Sequence, residues 1–414
     1  MFQGKYKSAL RVAFVYFLFS SIWIFSSDTF LTMVIEDIED FRNFSSIKGI
    51  FFVLISSTIV YYLIKHEINL SDKAKKDIDI LANYDSLTKL YTRKKYEIKL
   101  NDLQKEKKQC GIILTDINGL RVYNEAFSYK AGDDIITLYS DILKEIFPEE
   151  FIARLGGDEF VILFEDVEVD ILYTNMDELQ LRVEQFSYQG LPIEVSVGFA
   201  YITDVNEDIN ELTSLAEARM NKNKLLQAHS SSNSLITSLQ TTLFERSDET
   251  EQHAQRMQDM CERMGNKLGF SSAQTNDLKL LALLHDIGKI GIDDAILKKP
   301  DKLTSSEMEE MKQHPMIGFR IASTIPQLEA ISYDILTHHE WVNGEGYPKK
   351  LKGGDIPLNA RILSIVDAFD AMTNDRIYRK KISKDEAIEE LFRFKDIQFD
   401  ADLVDAFIDE FSKN

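Results

Sequence analysis

Two long apolar runs near the N-terminus constrain this chain more than any other feature. Residues 12 to 35 are apolar apart from Ser, Thr and Asp28, and residues 47 to 64 form a second, mostly apolar run. About 20 such residues cross a bilayer as a helix, and a helix satisfies its own backbone there. A cleaved signal peptide fits the first run less well, because no small-x-small site follows and a second run comes soon after. Lys5, Lys7 and Arg11 precede the first run, and Lys65, Lys73, Lys75 and Lys76 follow the second. Glu36, Asp37, Glu39 and Asp40 lie between them. Basic residues stay on the cytoplasmic side, so residues 1–64 are expected to be a two-helix anchor in the inner (cell) membrane. Both termini and the rest of the chain would then be cytoplasmic, with Asp28 at the outer interface. The outer loop is too short for a folded sensor.

Residues 65–83 are polar, with Ile68, Ile78 and Leu81 at rough helical spacing. They read as a signalling helix leading out of the membrane, paired with a second copy, or as a plain linker. From residue 84 to 229 strands and helices alternate. The run 110–116 is a buried strand ending in Asp116. Residues 151–155 and 160–164 are strands around the tight Gly156-Gly157-Asp158-Glu159 hairpin, and 194–200 is another strand. A helix is expected over 209–228. This describes an α/β domain with a mostly antiparallel sheet. Residues 230–234 read as a short polar joint, and 235–414 as a separate all-α domain. The fold class is therefore multi-domain: two transmembrane helices, an α/β domain and a helical domain.

The 414 residues suffice for such an arrangement. The net charge of −20 argues against duplex nucleic acid as a partner, since phosphate neutralisation needs Lys and Arg. A small phosphorylated ligand is still compatible, because a metal inverts the local field. Cys110 and Cys261 are far apart and read as buried thiols in a reducing cytosol.

In the α/β domain, Asp116 ends a strand, and Gly156 and Gly157 let a ligand approach the backbone closely. With Asp158 and Glu159, these residues would hold Mg²⁺ against a nucleoside triphosphate, or else form a Gly-rich turn with solvated acids. Gly156-Gly157-Asp158-Glu159-Phe160 resembles the GGDEF signature of diguanylate cyclases. The likeness covers about residues 82 to 228. It opens with Asp85-Ser86-Leu87-Thr88-Lys89-Leu90-Tyr91-Thr92-Arg93 and includes Asp116-Ile117-Asn118-Gly119-Leu120-Arg121 and Gly132-Asp133. The resemblance implies Mg²⁺ on Asp116, the carbonyl of Ile117 and Asp158, with Asp158 also acting as the base for the 3′-hydroxyl. It implies guanine on Asn124 and Asp133, phosphates on Lys224, and a homodimer joining two GTP into cyclic di-GMP. There are departures: Arg121 stands for Lys, Glu125 for Asp, Ser128-Tyr129 for Gly-His, and Ala228 for Arg. The inhibitory R-x-x-D is replaced by Phe147-Pro148-Glu149-Glu150. The domain is thus expected to be either a cyclase or a GTP-binding regulator.

Five of the seven histidines fall between residues 253 and 339. Glu249 and His253 are four apart on an expected helix and would share a face. His285-Asp286 follows an apolar helical run, His314 and His338-His339 end others, and Asp367 sits in an apolar helix where a lone acid is costly. Any one of these histidines reads best as structural. Together they offer eight imidazole and carboxylate ligands, a mixture that favours Fe or Mn over Mg or Ca. Two or three ions bridged by Asp286 would activate water and clamp a phosphodiester.

His285-Asp286-Ile287-Gly288-Lys289 with Gly346-Tyr347-Pro348 resembles the HD-GYP phosphodiesterases of cyclic di-GMP, over about residues 240 to 395. Lys298-Lys299-Pro300, Leu303-Thr304, His338-His339-Glu340, Ile356-Pro357-Leu358, Arg361 and the stretch from Asp367 to Thr373 also match. The resemblance implies Glu249, His253, His285, Asp286, His314, His338, His339 and Asp367 as ligands, with Glu249 accompanying a third ion. It implies Lys289 and Arg376 as phosphate contacts. Gly344 and Gly346 suggest a flexible loop, although a plain turn would serve. The expected function is hydrolysis of cyclic di-GMP; the alternatives are net synthesis or a cyclic-dinucleotide receptor. A mixed cyclic dinucleotide is also an open substrate.

Overall fold

The structure is a computed structural model describing residues 2–34, 38–166, 168–202, 209–247, 250–375 and 380–412. Side chains at 2–9, 28, 31, 32, 34, 38–43, 45, 46, 210 and 226–233 lie outside it as well. The charges expected to orient the anchor at Lys5, Lys7, Asp28, Glu36, Asp37, Glu39 and Asp40 therefore lie outside the described residues, as does the side chain of Ala228.

Chain contacts divide the molecule into two units, Met1–Tyr84 and Asp85–Asn414. The first unit is a helical hairpin of α1 (Phe2–Val34) and α2 (Ile38–Asn83). Phe19 stacks on Phe52 at 6.3 Å, and Trp23 packs on the same ring at 6.2 Å. Both helices are long and apolar enough to cross a membrane, over Leu10–Ser27 and from Ile47 onward. The expected signalling segment has no break from the second apolar run, since α2 continues through it. Ile68, Ile78 and Leu81 are exposed on this helix.

The second unit begins with the sheet. Its elements are β1 (Tyr91–Thr92), α3 (Arg93–Glu106), β2 (Cys110–Ile117), α4 (Leu120–Ala126), α5 (Tyr129–Ile146), β3 (Phe151–Gly156), β4 (Glu159–Glu165), α6 (Val169–Val183), β5 (Ser187–Tyr188), β6 (Leu191–Pro192) and β7 (Val195–Ile202). The five-stranded sheet runs β1-β3-β4-β2-β7, antiparallel except for the short β1–β3 pairing. Every residue of β2 is buried, as suits an interior strand paired on both sides, with β4 and β7. The strands β1, β5 and β6 have two residues each, and segments so short leave no periodic signal in the sequence.

Next comes α7 (Ile209–Arg246), 38 residues long. The polar joint expected at 230–234 is helical instead. Serines cost a helix only a few tenths of a kcal/mol each, and neither Pro nor Gly interrupts the run. Helices then follow: α8 (Glu251–Lys267), α9 (Ser272–Leu284), α10 (Asp294–Leu297), α11 (Ser305–Met311), α12 (His314–Ala322), α13 (Glu329–Thr337), α14 (Leu358–Thr373), α15 (Lys384–Arg393) and α16 (Ala401–Phe411). A 3-10 turn, Ile287–Gly291, joins α9 to α10. Among the described residues this part contains no strand. One buried apolar cluster runs from Ile113 and Ile162 of the sheet to Leu281, Ile335 and Val366 of the helices.

Candidate metal centre and nucleotide site

The helices of the second half converge on a histidine and carboxylate cluster. Thr250 caps α8 by accepting a hydrogen bond from the His253 amide, which fixes His253 in the first turn. Ser271 and Gln274 close a capping box on α9, which ends one residue before His285. His314 opens α12, rather than ending a helix as expected. His338 follows α13, and Asp367 lies in α14. Gly288 brings α12 close: a Cβ there would lie 1.8 Å from the His314 carbonyl oxygen.

Among the described residues, seven of the eight expected ligands form two groups. Asp286, His314, His338 and His339 make one, and His253, His285 and Asp367 the other. Asp286 touches both groups. Its Oδ1 lies 3.0 Å from His314 Nε2 and 3.9 Å from His338 Nε2, while its Oδ2 lies 3.3 Å from His285 Nε2 and 2.8 Å from Lys289 Nζ. Glu249 lies outside the described residues. The described part of this helix begins at Glu251, so the shared face expected for Glu249 and His253 lies outside the described residues. Arg376 also lies outside the described residues.

The hydrogen bonds behind the cluster decide which way it faces. The Nδ1 atoms of His285, His314 and His338 sit 3.1, 2.8 and 2.7 Å from the carbonyl oxygens of Ala282, Met311 and Ile335. A carbonyl only accepts, so each Nδ1 carries the proton and each Nε2 presents its lone pair inward. Burial, reinforced by His285 and His314, pushes His338 down to about 3. Burial, with His338 and His314 beside it, likewise holds His339 well below the usual range. Burial alone would raise the Asp286 carboxyl, but Lys289, His285 and His314 outweigh it and hold Asp286 well below the carboxylate range. The Nε2 atoms of His314 and His338 approach to 3.4 Å. Inward-facing imidazole lone pairs around an ionised carboxylate repel one another unless a cation lies among them. The donor set therefore fits a metal.

Two supporting residues lie in stretches that carry the resemblance, but the sequence assigns them no role. Asp370 is 2% exposed and accepts from His253 Nδ1 at 2.6 Å and from Arg256 at 2.6 and 2.8 Å. Burial opposes its charge, but Arg256 and His253 prevail and hold its pKa below the usual value. Its position three residues after Asp367 on one helix face was the available clue. Glu340, 3% exposed, accepts from the amides of Lys349, Lys350 and Leu351 at 2.5, 3.0 and 3.0 Å. It anchors the loop in which Tyr347 stacks on His339, with ring centroids 4.9 Å apart. A Cβ on Gly346 would lie 2.6 Å from the His339 carbonyl oxygen and 2.3 Å from the Trp341 amide. Gly346 therefore packs closely against the metal-side chain.

At the sheet, Asp116 pairs in register with Glu159 of β4 and Ser196 of β7. The Ile117 amide donates to the Asp158 carbonyl at 3.1 Å, which holds the glycine hairpin beside the end of β2. Arg154 donates to the Gly157 carbonyl at 2.7 and 3.0 Å and to Asp85 at 3.2 Å. Lys224, expected to meet phosphates, pairs with Asp116 at 2.6 Å. Burial raises the Asp116 carboxyl against the pull of Lys224. Asn124 packs on Gly132, where a Cβ would lie 2.2 Å from its Oδ1, and Asp133 is exposed. Asp116, Asp158 and Lys224 thus share one end of the sheet. The stabilising roles of Arg154 and Asp85 were missed, because their pairing spans 69 residues.

Residues 82–230 match the family described as "Diguanylate cyclase, GGDEF domain", and residues 237–403 match the HD domain. A cyclic di-GMP phosphodiesterase of Thermotoga maritima is 36% identical over 200 residues, covering 45% of this chain and 54% of that protein. A 3′3′-cGAMP-specific phosphodiesterase 2 of Vibrio cholerae serotype O1 is 27% identical over 339 residues, covering 81% of this chain and 60% of that protein. The chain thus spans between about half and three-fifths of the length of these relatives. The coiled coil and GGDEF domain of DgcB from Caulobacter crescentus, solved with c-di-GMP, aligns at a TM-score of 0.37 and 21% identity, over 39% of this chain and 90% of that one.

Proposed function

We propose that this chain, a GGDEF domain joined to an HD domain behind two apolar helices, is a membrane-anchored, metal-dependent phosphodiesterase of cyclic di-GMP. The observation that carries the reading is the inward-facing donor set: seven histidine and aspartate ligands in two adjoining groups with the two oxygens of Asp286 turned one to each. Such a set suits two Fe or Mn ions, with Glu249 the residue for a third. Bound ions would supply Lewis acidity to a phosphodiester and lower the pKa of water. Lys289, held at Asp286, would turn its ammonium to a substrate phosphate, and Arg376 would add a second cation. Tyr347 would keep the His339 ring in its plane.

In the GGDEF domain, Asp116, the Ile117 carbonyl and Asp158 would hold Mg²⁺, Asn124 and Asp133 the guanine, and Lys224 the phosphates of GTP. The domain then either makes cyclic di-GMP in a homodimer or regulates by binding GTP. The apolar helices would place both termini and both domains on the cytoplasmic side of the cell membrane. Domain limits near 64, 83, 229 and 235 go with this reading. A second substrate has its own support: the relative covering 81% of this chain is named for 3′3′-cGAMP.

The test is to measure cyclic di-GMP made and degraded by wild type, Asp158→Ala and His285→Ala, with 3′3′-cGAMP run beside it. Hydrolysis by wild type and Asp158→Ala, lost in His285→Ala, is expected. Loading with Fe or Mn and finding no hydrolysis of either dinucleotide would sink the assignment.

A further inference from the structure

The helix that carries Asn124 rests on the elements that carry the metal ligands. Glu125 of α4 lies 3.6 Å from Arg320 of α12, the helix that opens with His314. At the end of α4, the Ala126 carbonyl sits on Gly291, where a Cβ would lie 2.4 Å from that oxygen and 3.0 Å from Ile317 of α12. Gly291 closes the turn that begins directly after Asp286. A second connection runs along α7. Its Lys224 reaches Asp116 at 2.6 Å, and its last residue, Arg246, donates to the Ile290 carbonyl at 2.7 Å and pairs with Asp294 at 2.6 Å. Between these elements lies a mostly apolar cavity of about 200 Å³, lined by Asn118, Gly119, Glu194, Lys224, Leu235 and Pro326 among others. Ile325 and Pro326 follow closely on the end of α12.

We propose that α4 and α12 couple the two sites. A nucleoside triphosphate held at Asp116, Asn124 and Lys224, beside this cavity, changes the metal centre through α12 and the Asp286–Gly291 turn. The inference rests on the reading that the GGDEF domain takes GTP. The contact between Gly291 and Ala126 leaves no slack, so a shift of α4 displaces the turn rather than being absorbed. α12 is a single packed element with the cavity at one end and a metal ligand at the other, which is the kind of contiguous structure that carries coupling. Coupling between binding sites is reciprocal. Metal at the histidine cluster must therefore change nucleotide affinity by the same factor as nucleotide changes metal affinity.

The experiment uses the full-length chain in detergent micelles with Mg²⁺ in excess. Affinity for a non-hydrolysable GTP analogue is measured with the histidine cluster metal-free and loaded with Mn²⁺. A change of about fivefold or more is expected in wild type, shrinking below about twofold in Gly291→Ala, in Arg320→Glu and in the His314→Ala control. Arg320 is exposed, so its variant stays informative if Gly291→Ala fails to fold. Equal affinity in both wild-type states, no nucleotide binding, or a full shift retained in Arg320→Glu and Gly291→Ala would each overturn the proposal. The readout needs no dinucleotide turnover, so its failure is distinct from failure of the hydrolase reading.

Discussion

Asp370→Asn separates positioning of the proposed metal ligands from the ligands themselves. Asp370 touches no inward-facing atom, yet it holds His253 Nδ1 at 2.6 Å and Arg256 at 2.6 and 2.8 Å from inside the core. The substitution keeps the shape and removes the charge, so Arg256 loses its carboxylate and His253 Nδ1 no longer faces an obligate acceptor. Hydrogen bonds to a charged group are each worth about 1.5–3 kcal/mol. The Arg256 side chain is 40% exposed and regains water, so its share is discounted. A net loss of about 2–3 kcal/mol of stability follows. Freed from Asp370, the His253 ring loses its fixed tautomer and orientation, and losses of this kind cost about 10–100-fold in metal affinity. Urea unfolding of the metal-free protein measures the first effect, and titration with Mn²⁺ measures the second. A variant that is destabilised but binds Mn²⁺ as tightly as wild type would refute the positioning role and leave Asp370 as a brace for α8 and α14.

Three further outcomes are expected. In metal-free protein, His338 is depressed from 6.5 to about 3, so between these values the unfolded chain binds the extra proton. Stability should therefore fall as pH drops from about 6.5 toward 3, and denaturant midpoints across that window check it. Mn²⁺ at a hundred times its dissociation constant should add about 2.7 kcal/mol per site, read as a higher melting temperature that His314→Ala loses. Gly288→Ala would drive a Cβ to 1.8 Å from the His314 carbonyl oxygen, costing about 1–3 kcal/mol or more and displacing α12; a melting temperature unchanged from wild type would refute the close packing.

The elements that carry a strong periodic signal were legible in the sequence. The buried run 110–116 is the interior strand β2, and 151–155 and 160–164 are β3 and β4 around the glycine hairpin. The histidines were legible as a cluster because their number in one stretch needed an explanation. What escaped was set by tertiary contact. Serines at 230–234 resemble a joint, but they lie inside α7, since a polar composition does not by itself end a helix. His314 was placed at a helix end, whereas Pro315 at the first turn marks a start. The pairing of Asp370 with His253 and Arg256 spans 114 to 117 residues, and no local pattern encodes it. The pairing of Lys224 with Asp116 at 2.6 Å spans 108 residues and likewise leaves no local pattern.

The number of metal ions held by the purified full-length chain, wild type beside Asp286→Ala, bears on everything above. After Mn²⁺ loading and removal of loose metal, elemental analysis should find at least two ions per wild-type chain, because the two oxygens of Asp286 face different ligand groups. Asp286→Ala should hold fewer than one. Wild type without bound ions, or Asp286→Ala with the full complement, would contradict a bridged metal centre.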